Sequence, residues 1–210
     1  MESSAKLHWE KIYETKSPAG LSWTEPIPRI SLEIIHSLQL DPSASIIDIG
    51  GGDSRLADHL LEEGFENITV MDISGRALQR TKDRLGNRSA RVKWIETDIN
   101  TFSPNTSYDL WHDRAAFHFL TKEDQIRRYA EIASFFTKKF LVIGTFSETG
   151  PEKCSGLPVS RYSSTSLENV FGKNFEKMRC LTDDHMTPSG RKQNFQFCAF
   201  KRKVSAPAHG

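Results

Sequence analysis

The residues best suited to chemistry are carboxylates and glycines that close short apolar runs. Asp48-Ile-Gly-Gly-Gly-Asp53 ends the run that starts at Ser45, Asp72 ends Ile68-Thr-Val-Met-Asp72, and Asp98, followed by Ile99, ends the run from Arg91. Gly50, Gly51 and Gly52 let a ligand approach the backbone closely, and the helix behind them adds its amino-terminal dipole. A carboxylate at Asp72 is suited to accept hydrogen bonds from both ribose hydroxyls, as in dinucleotide folds. Asp98 is suited to accept from an adenine amino group, with Ile73 and Ile99 sandwiching the ring. Singly, a glycine triplet is more often a tight turn and a strand-end Asp a cap. Three such features in order, at strand ends facing one crevice, predict an adenosine-type ligand.

The departures narrow that ligand. A dinucleotide fingerprint needs a glycine three residues after Gly52, where Arg55 stands, and no GxxxxGK[ST] loop is present. After the fourth run, Tyr108-Asp-Leu-Trp-His-Asp113, come the groups nearest the reacting end: His112, Asp113, Arg114 and, a turn later, His118. Asp113 is a candidate to bind a ligand amino group or act as base, and His118 is a candidate base because imidazole titrates near ~6.5. The plainer roles are an ion-pair network for Asp113 with Arg114, and a core-edge histidine for His118 between Phe117 and Phe119. Before the first core strand, Trp9, Ile12 and Tyr13 read as the apolar face of a short helix. Trp23, in a non-helical stretch beside Glu25-Pro26, is the lid candidate, since aromatic faces attract cations by ~0.5–2 kcal/mol.

These positions presuppose an alternation of apolar runs and helices, the pattern of a parallel sheet covered on both faces. Leu56, Ala57, Leu60 and Leu61 repeat at helical spacing up to Gly64, and Ser74 caps a helix with Ala77, Leu78, Thr81 and Leu85 on one face. Thr121 with Asp124 reads as a capping box before a helix through Phe136, and Phe140–Phe146 as a fifth strand. An irregular stretch spans about 147 to 163. Thr165 with Glu168 starts a short helix ending near Gly172, and the runs Phe175–Leu181 and Asn194–Phe200 predict an antiparallel hairpin at one sheet edge.

With 210 residues, 37% hydrophobic and 26% charged, the chain suits one globular domain. A net charge of +1 points to neither a nucleic-acid groove nor a membrane surface. The N-terminus has no apolar run suited to a signal peptide, and no stretch approaches the ~20 residues of a membrane helix. Cys154, Cys180 and Cys198 are odd in number and lack CxxC spacing, so a disulfide framework or metal site is not expected and a reducing cytoplasm is. Cys154 is the thiol placed near an acceptor, with metalloid binding the minor alternative. Arg161 and Tyr162, just after it, are either pocket or surface residues.

On these motifs the chain resembles the class I S-adenosylmethionine-dependent methyltransferases, from about His8 to Arg202. Asp48–Asp53 resembles the first motif, with Asp53 where Gly is usual. Met71-Asp72-Ile-Ser resembles the second, Thr97-Asp98-Ile the third, and Tyr108–Ala115 the fourth. The stretch Gly150–Leu157 is more loosely similar to the thiopurine and tellurite-resistance methyltransferase group. The resemblance implies a doubly wound α/β fold, a seven-stranded mostly parallel sheet of order 3-2-1-4-5-7-6 with the last strand antiparallel. It implies one domain over residues 1–203, with an N-terminal lid to about 40 and a flexible tail over 204–210. It implies S-adenosyl-L-methionine as cofactor and S-adenosyl-L-homocysteine as product. A small-molecule acceptor is the first expectation and a protein lysine the second. A non-catalytic S-adenosylmethionine-binding module and an NAD-dependent oxidoreductase are the readings from other classes; the oligomeric state is left open.

Overall fold

The computed structural model describes residues 3–17 and 20–204, so the expected tail lies, beyond Val204, outside the described residues. Its frame is β1 (Ser45–Ile49), β2 (Asn67–Asp72), β3 (Val92–Glu96), β4 (Tyr108–Arg114), β5 (Thr137–Phe146), β8 (Phe175–Met186) and β9 (Lys192–Arg202). They form one sheet in the order β3-β2-β1-β4-β5-β9-β8, with β9 antiparallel to both its neighbours. Numbering only these seven strands, this is the expected 3-2-1-4-5-7-6 order.

The strands alternate their side chains between two cores. Ile46, Ile68, Val70, Leu110 and Val142 face α2 (Arg29–Ser37), α3 (Leu56–Glu62) and α4 (Gly75–Leu85). Their sequence neighbours Ile47, Met71, Trp111, Leu141 and Ile143 face α5 (Glu123–Phe136) and α6 (Ser164–Phe171). Period-two alternation with both faces apolar is what a sheet covered on each side requires. Ahead of the sheet, α1 (Ser4–Thr15) buries Tyr13 against Leu21 and Ala77, with Trp9, Ile12 and Trp23 packed beside them. Arg80 of α4 donates to the carbonyls of Tyr13 and Lys16, and Arg76 pairs with Glu10 and Glu14.

Several expectations are corrected. Ser74 caps α4 as predicted, but the Thr121/Asp124 box does not form: α5 starts one residue later, with Lys122 as N-cap and no side-chain cap bond. The cap of α6 is Ser163, whose hydroxyl accepts from the Ser166 N–H while Ser166 reaches back, in place of Thr165 with Glu168. A short two-stranded ribbon, β6 (Lys153–Cys154) and β7 (Leu157–Pro158), stands inside the stretch read as irregular. Cys180 and Cys198 form a disulfide, with Cα atoms 4.2 Å apart. They face each other across the β8–β9 ladder, where a closely spaced antiparallel pair brings two thiols within bridging reach. Sequence spacing carries no trace of that register, and the pairing leaves Cys154 as the free thiol. No helix among the described residues is long and apolar enough to cross a membrane.

Candidate active site

The glycine turn is the tightest part of the crevice. Gly50 has φ +66°, and a Cβ there would lie 2.5 Å from the Ala116 Cβ. A Cβ on Gly51 would meet an Asp48 carboxylate oxygen at 2.5 Å, and one on Gly52 an Asp72 oxygen at 2.7 Å. The loop is thus wrapped by two strand-end carboxylates, and only glycine leaves room for both them and a ligand.

Asp72 is buried. Its Oδ1 accepts from the Ser74 N–H at 2.8 Å. Burial, with Asp53 and Asp48 nearby, pushes its carboxyl up to about 7 against the opposing Ser74 and Gly52 N–H bonds. The neighbouring Tyr13 phenol is pushed up by burial and by Asp53 and Asp72. A buried carboxylate raised by burial and by neighbouring carboxylates, as Asp72 is, is relieved by a cationic ligand or by hydroxyl donors.

A cleft of about 1100 Å³, counted to its open mouth, runs along the strand ends. Asp72, Ile73, Asp98, Ile99 and Asn100 line one half, and Asp98 Oδ1 accepts from the Asn100 N–H at 2.9 Å. Trp9, Phe119, Phe146, Cys154, Leu157, Gln193 and Phe195 belong to the lining of the other. Trp9 stacks edge-on with Trp23 and Phe119, at 5.7 and 5.0 Å, so it both packs α1 and walls the cleft. Gly50, Tyr13, Trp23 and Arg114 also line a smaller recess of about 520 Å³ that holds Asp48, Gly51, Asp53, Arg55 and His112. The two spaces are therefore joined at the glycine turn.

Arg114 leaves β4 at that junction. It donates to the Trp23 carbonyl at 3.1 Å, pairs with Glu25 at 2.8 Å and lies over the Phe195 ring at 5.1 Å. Burial pushes the Glu25 carboxyl up, but the hydrogen bond from His185 and the Arg114 guanidinium hold it below its ordinary value. His185 also reaches the Ser22 carbonyl at 2.6 Å. The segment Ser22–Glu25 is thereby tied to β4 and β8.

The predicted site residues divide. The cleft and recess bring together Asp48, Gly50, Gly51, Asp72, Ile73, Asp98, Ile99 and Trp23, with Gly52 directly behind Asp72. Asp113 and His118 line neither space. Asp113 is fully buried, and its carboxylate accepts from the Ala116 and Phe117 N–H groups and from the Tyr129 hydroxyl at 2.6 Å. Burial pushes it up to about 6 despite those donors. A carboxylate so engaged anchors the chain after β4 instead of reaching a ligand. His118 is fully buried behind Phe119 and Phe146, and its Nδ1 accepts from the Phe146 N–H at 3.3 Å.

Burial lowers the His118 ring to about 3, so it stays neutral throughout the physiological range and is a poor base. Its imidazole carbon-bound protons are expected to show no titration between pH 5 and 8 by NMR, and a midpoint near 6.5 would contradict this. Gln193 and Phe195 were not read from the sequence as a wall, whereas Arg114 and the loop ending at Leu157 were placed near the reacting end. Near its start β9 carries polar side chains on both faces, Gln193 on one and Asn194 with Gln196 on the other, so polarity gives no sign of which side meets a ligand. Cys154 stands in the wall as expected, with burial pushing its thiol up, whereas Tyr162 packs on Phe117 and Arg161 pairs with Glu152.

Residues 46–139 match the family described as "Methyltransferase domain". The match covers less than half of the chain; over it, with the strand order and the carboxylate-wrapped glycine turn, the chain is similar to the class I S-adenosylmethionine-dependent methyltransferases, and the cofactor this fold binds is S-adenosyl-L-methionine. It is 25% identical over 204 residues to human EEF1A lysine methyltransferase 2, covering 89% of this chain and 80% of that one. The mouse eEF1A lysine and N-terminal methyltransferase is 23% identical over 121 residues, covering 57% of this chain. This chain spans only 17% of that relative's length. The N-methyltransferase NodS of Bradyrhizobium japonicum, solved with S-adenosyl-L-homocysteine, shares the fold with a TM-score of 0.72 at 17% identity, over 96% of this chain and all of that one.

Proposed function

We propose that this methyltransferase acts on a small, largely apolar acceptor whose nucleophilic atom carries no proton or loses it readily. The observation that carries the reading is the aromatic chamber of Trp9, Trp23, Phe119, Phe146 and Phe195. Arg114 is its charged member, and the cleft's carboxylates, Asp72 and Asp98, lie in the other half. A lysine acceptor enters as an ammonium and must lose a proton first. The carboxylate beside this half of the cleft, Glu25, is already taken by Arg114 at 2.8 Å and by His185, so it is committed elsewhere and does not offer itself to receive an ammonium's proton. Heteroaromatic nitrogens and carboxylates need no such step, and a thiol loses its proton more readily than an ammonium does.

S-adenosylmethionine supplies an activated methyl group on a sulfonium. The protein's task is to bind, orient and exclude water, and alignment alone can contribute on the order of 7–11 kcal/mol. In this reading Asp72 takes the ribose hydroxyls, Asp98 the adenine amino group, and Ile73 and Ile99 the faces of the ring. Gly50, Gly51, Gly52 and Asp48 hold the amino-acid tail in the recess. The N-terminal segment to about residue 40 serves as lid through Trp9, Tyr13 and Trp23, and the whole of 1–203 works as one domain.

The second reading, a protein-lysine acceptor, draws on the human relative named for that substrate, which aligns with 89% of this chain. Methyl-labelled cofactor offered with thiols, aromatic acids and heteroaromatic amines on one side, and lysine peptides and intact proteins on the other, separates the two. Label in a small molecule is the expected result, and label only in protein overturns the proposal. Phe195→Ala, which opens the chamber wall, is expected to raise the acceptor KM about tenfold through lost contact area and leave the cofactor Kd unchanged.

A further inference from the structure

Behind the glycine turn, three buried polar side chains on three elements form a hydrogen-bonded row. The His112 ring, near the end of β4, places Nδ1 at 2.7 Å from Asp48 Oδ1 on β1 and Nε2 at 2.9 Å from Ser31 Oγ on α2. Ser31, His112 and Asp48 are 1%, 2% and 3% exposed, so no bulk water competes for these bonds. Asp48 Oδ1 is taken by the imidazole. Its other oxygen lies against Gly51, close enough to exclude a Cβ there. All three residues line the recess beside Gly50 and Gly51.

The arrangement has a direction. A lone carboxylate on β1 would be free to turn about its side-chain bonds. The imidazole holds one oxygen, and Ser31 holds the far side of the imidazole, so the α2 helix sets the ring plane and the ring sets the carboxylate. Asp48 thus presents its remaining oxygen toward the glycine turn, in the place assigned above to the ammonium of the cofactor's amino-acid tail.

We infer that His112 and Ser31 are positioning residues that orient Asp48 for the amino-acid tail of the cofactor and contribute nothing to the adenosine end. The inference rests on the proposed placement of that tail in the recess. Its test compares two ligands by calorimetry: S-adenosylhomocysteine, which has the tail, and 5′-methylthioadenosine, which lacks it. His112→Ala is expected to weaken S-adenosylhomocysteine about tenfold or more, the scale of a misdirected charged hydrogen bond, and to leave 5′-methylthioadenosine within about twofold. His112→Asn keeps a donor for Asp48 and should restore most of the loss.

Ser31→Ala, a smaller change that keeps the imidazole, should give a loss of about threefold confined to the same ligand, which keeps the test open if His112→Ala does not fold. Equal weakening of both ligands, or no weakening of either, overturns the positioning role. A wild-type protein that binds both ligands equally overturns instead the placement of the tail, and the inference falls with it.

Discussion

Asp72→Ala is expected to weaken S-adenosylmethionine and S-adenosylhomocysteine about 100-fold or more in calorimetry, because two hydroxyl hydrogen bonds to a carboxylate are lost, each worth ~1.5–3 kcal/mol. The effect carries a pH signature. Burial, Asp53 and Asp48 raise the free protein's Asp72 to about 7, while ribose hydroxyls favour its charged form. Cofactor affinity should therefore be level above pH ~8 and fall below pH 7, approaching tenfold per pH unit, with Asp72→Asn abolishing the slope. Stability moves the other way. A carboxyl with a folded value near 7, against 3.8 ordinarily, makes the folded state bind the proton more tightly. The free protein then loses stability as pH rises from about 4 to 7, and Asp72→Asn should raise its melting temperature at pH 8. A variant that keeps wild-type cofactor affinity would remove Asp72 from the site.

The second large effect is on folding. Asp113→Ala is expected to cost on the order of 3–5 kcal/mol, since it strands the Tyr129 hydroxyl and the Ala116 and Phe117 N–H groups in a dry interior at ~1–3 kcal/mol each. For a domain whose whole stability is ~5–15 kcal/mol, that is a large fraction, read as a lower urea midpoint. Cofactor affinity should fall as well, because the anchored segment carries Ala116, whose Cβ sits against Gly50. Asp113→Asn keeps one acceptor oxygen and should lose less. Full stability with lost activity would reinstate Asp113 as a chemical group. Tyr129→Phe, which leaves the carboxylate its two backbone donors, should be milder than either.

What the sequence determined by itself is the frame and the carboxylate-lined half of the cleft proposed to hold the cofactor. Asp48, Asp72 and Asp98 each end an apolar run, and strand ends in an open α/β sheet share one edge, so their convergence follows from one-dimensional order. The hairpin of β8 and β9 was legible in the same way, from two extended runs with a short connection. The acceptor half was not. It is assembled from α1, the Trp23 segment, the 3-10 turn Phe117–Phe119, β7 and β9, whose side chains meet only because the sheet order inserts β9 beside β5. The disulfide depended on register, which is decided by the packing of both faces and not by cysteine spacing. The burial of Asp113 and His118 was hidden for a related reason: polarity near a site identifies groups that need partners, and only tertiary packing decides how many of those partners are the protein's own backbone. The Asp48–His112–Ser31 row escaped notice because its members lie far apart along the chain, and three elements had to pack before the imidazole touched both neighbours.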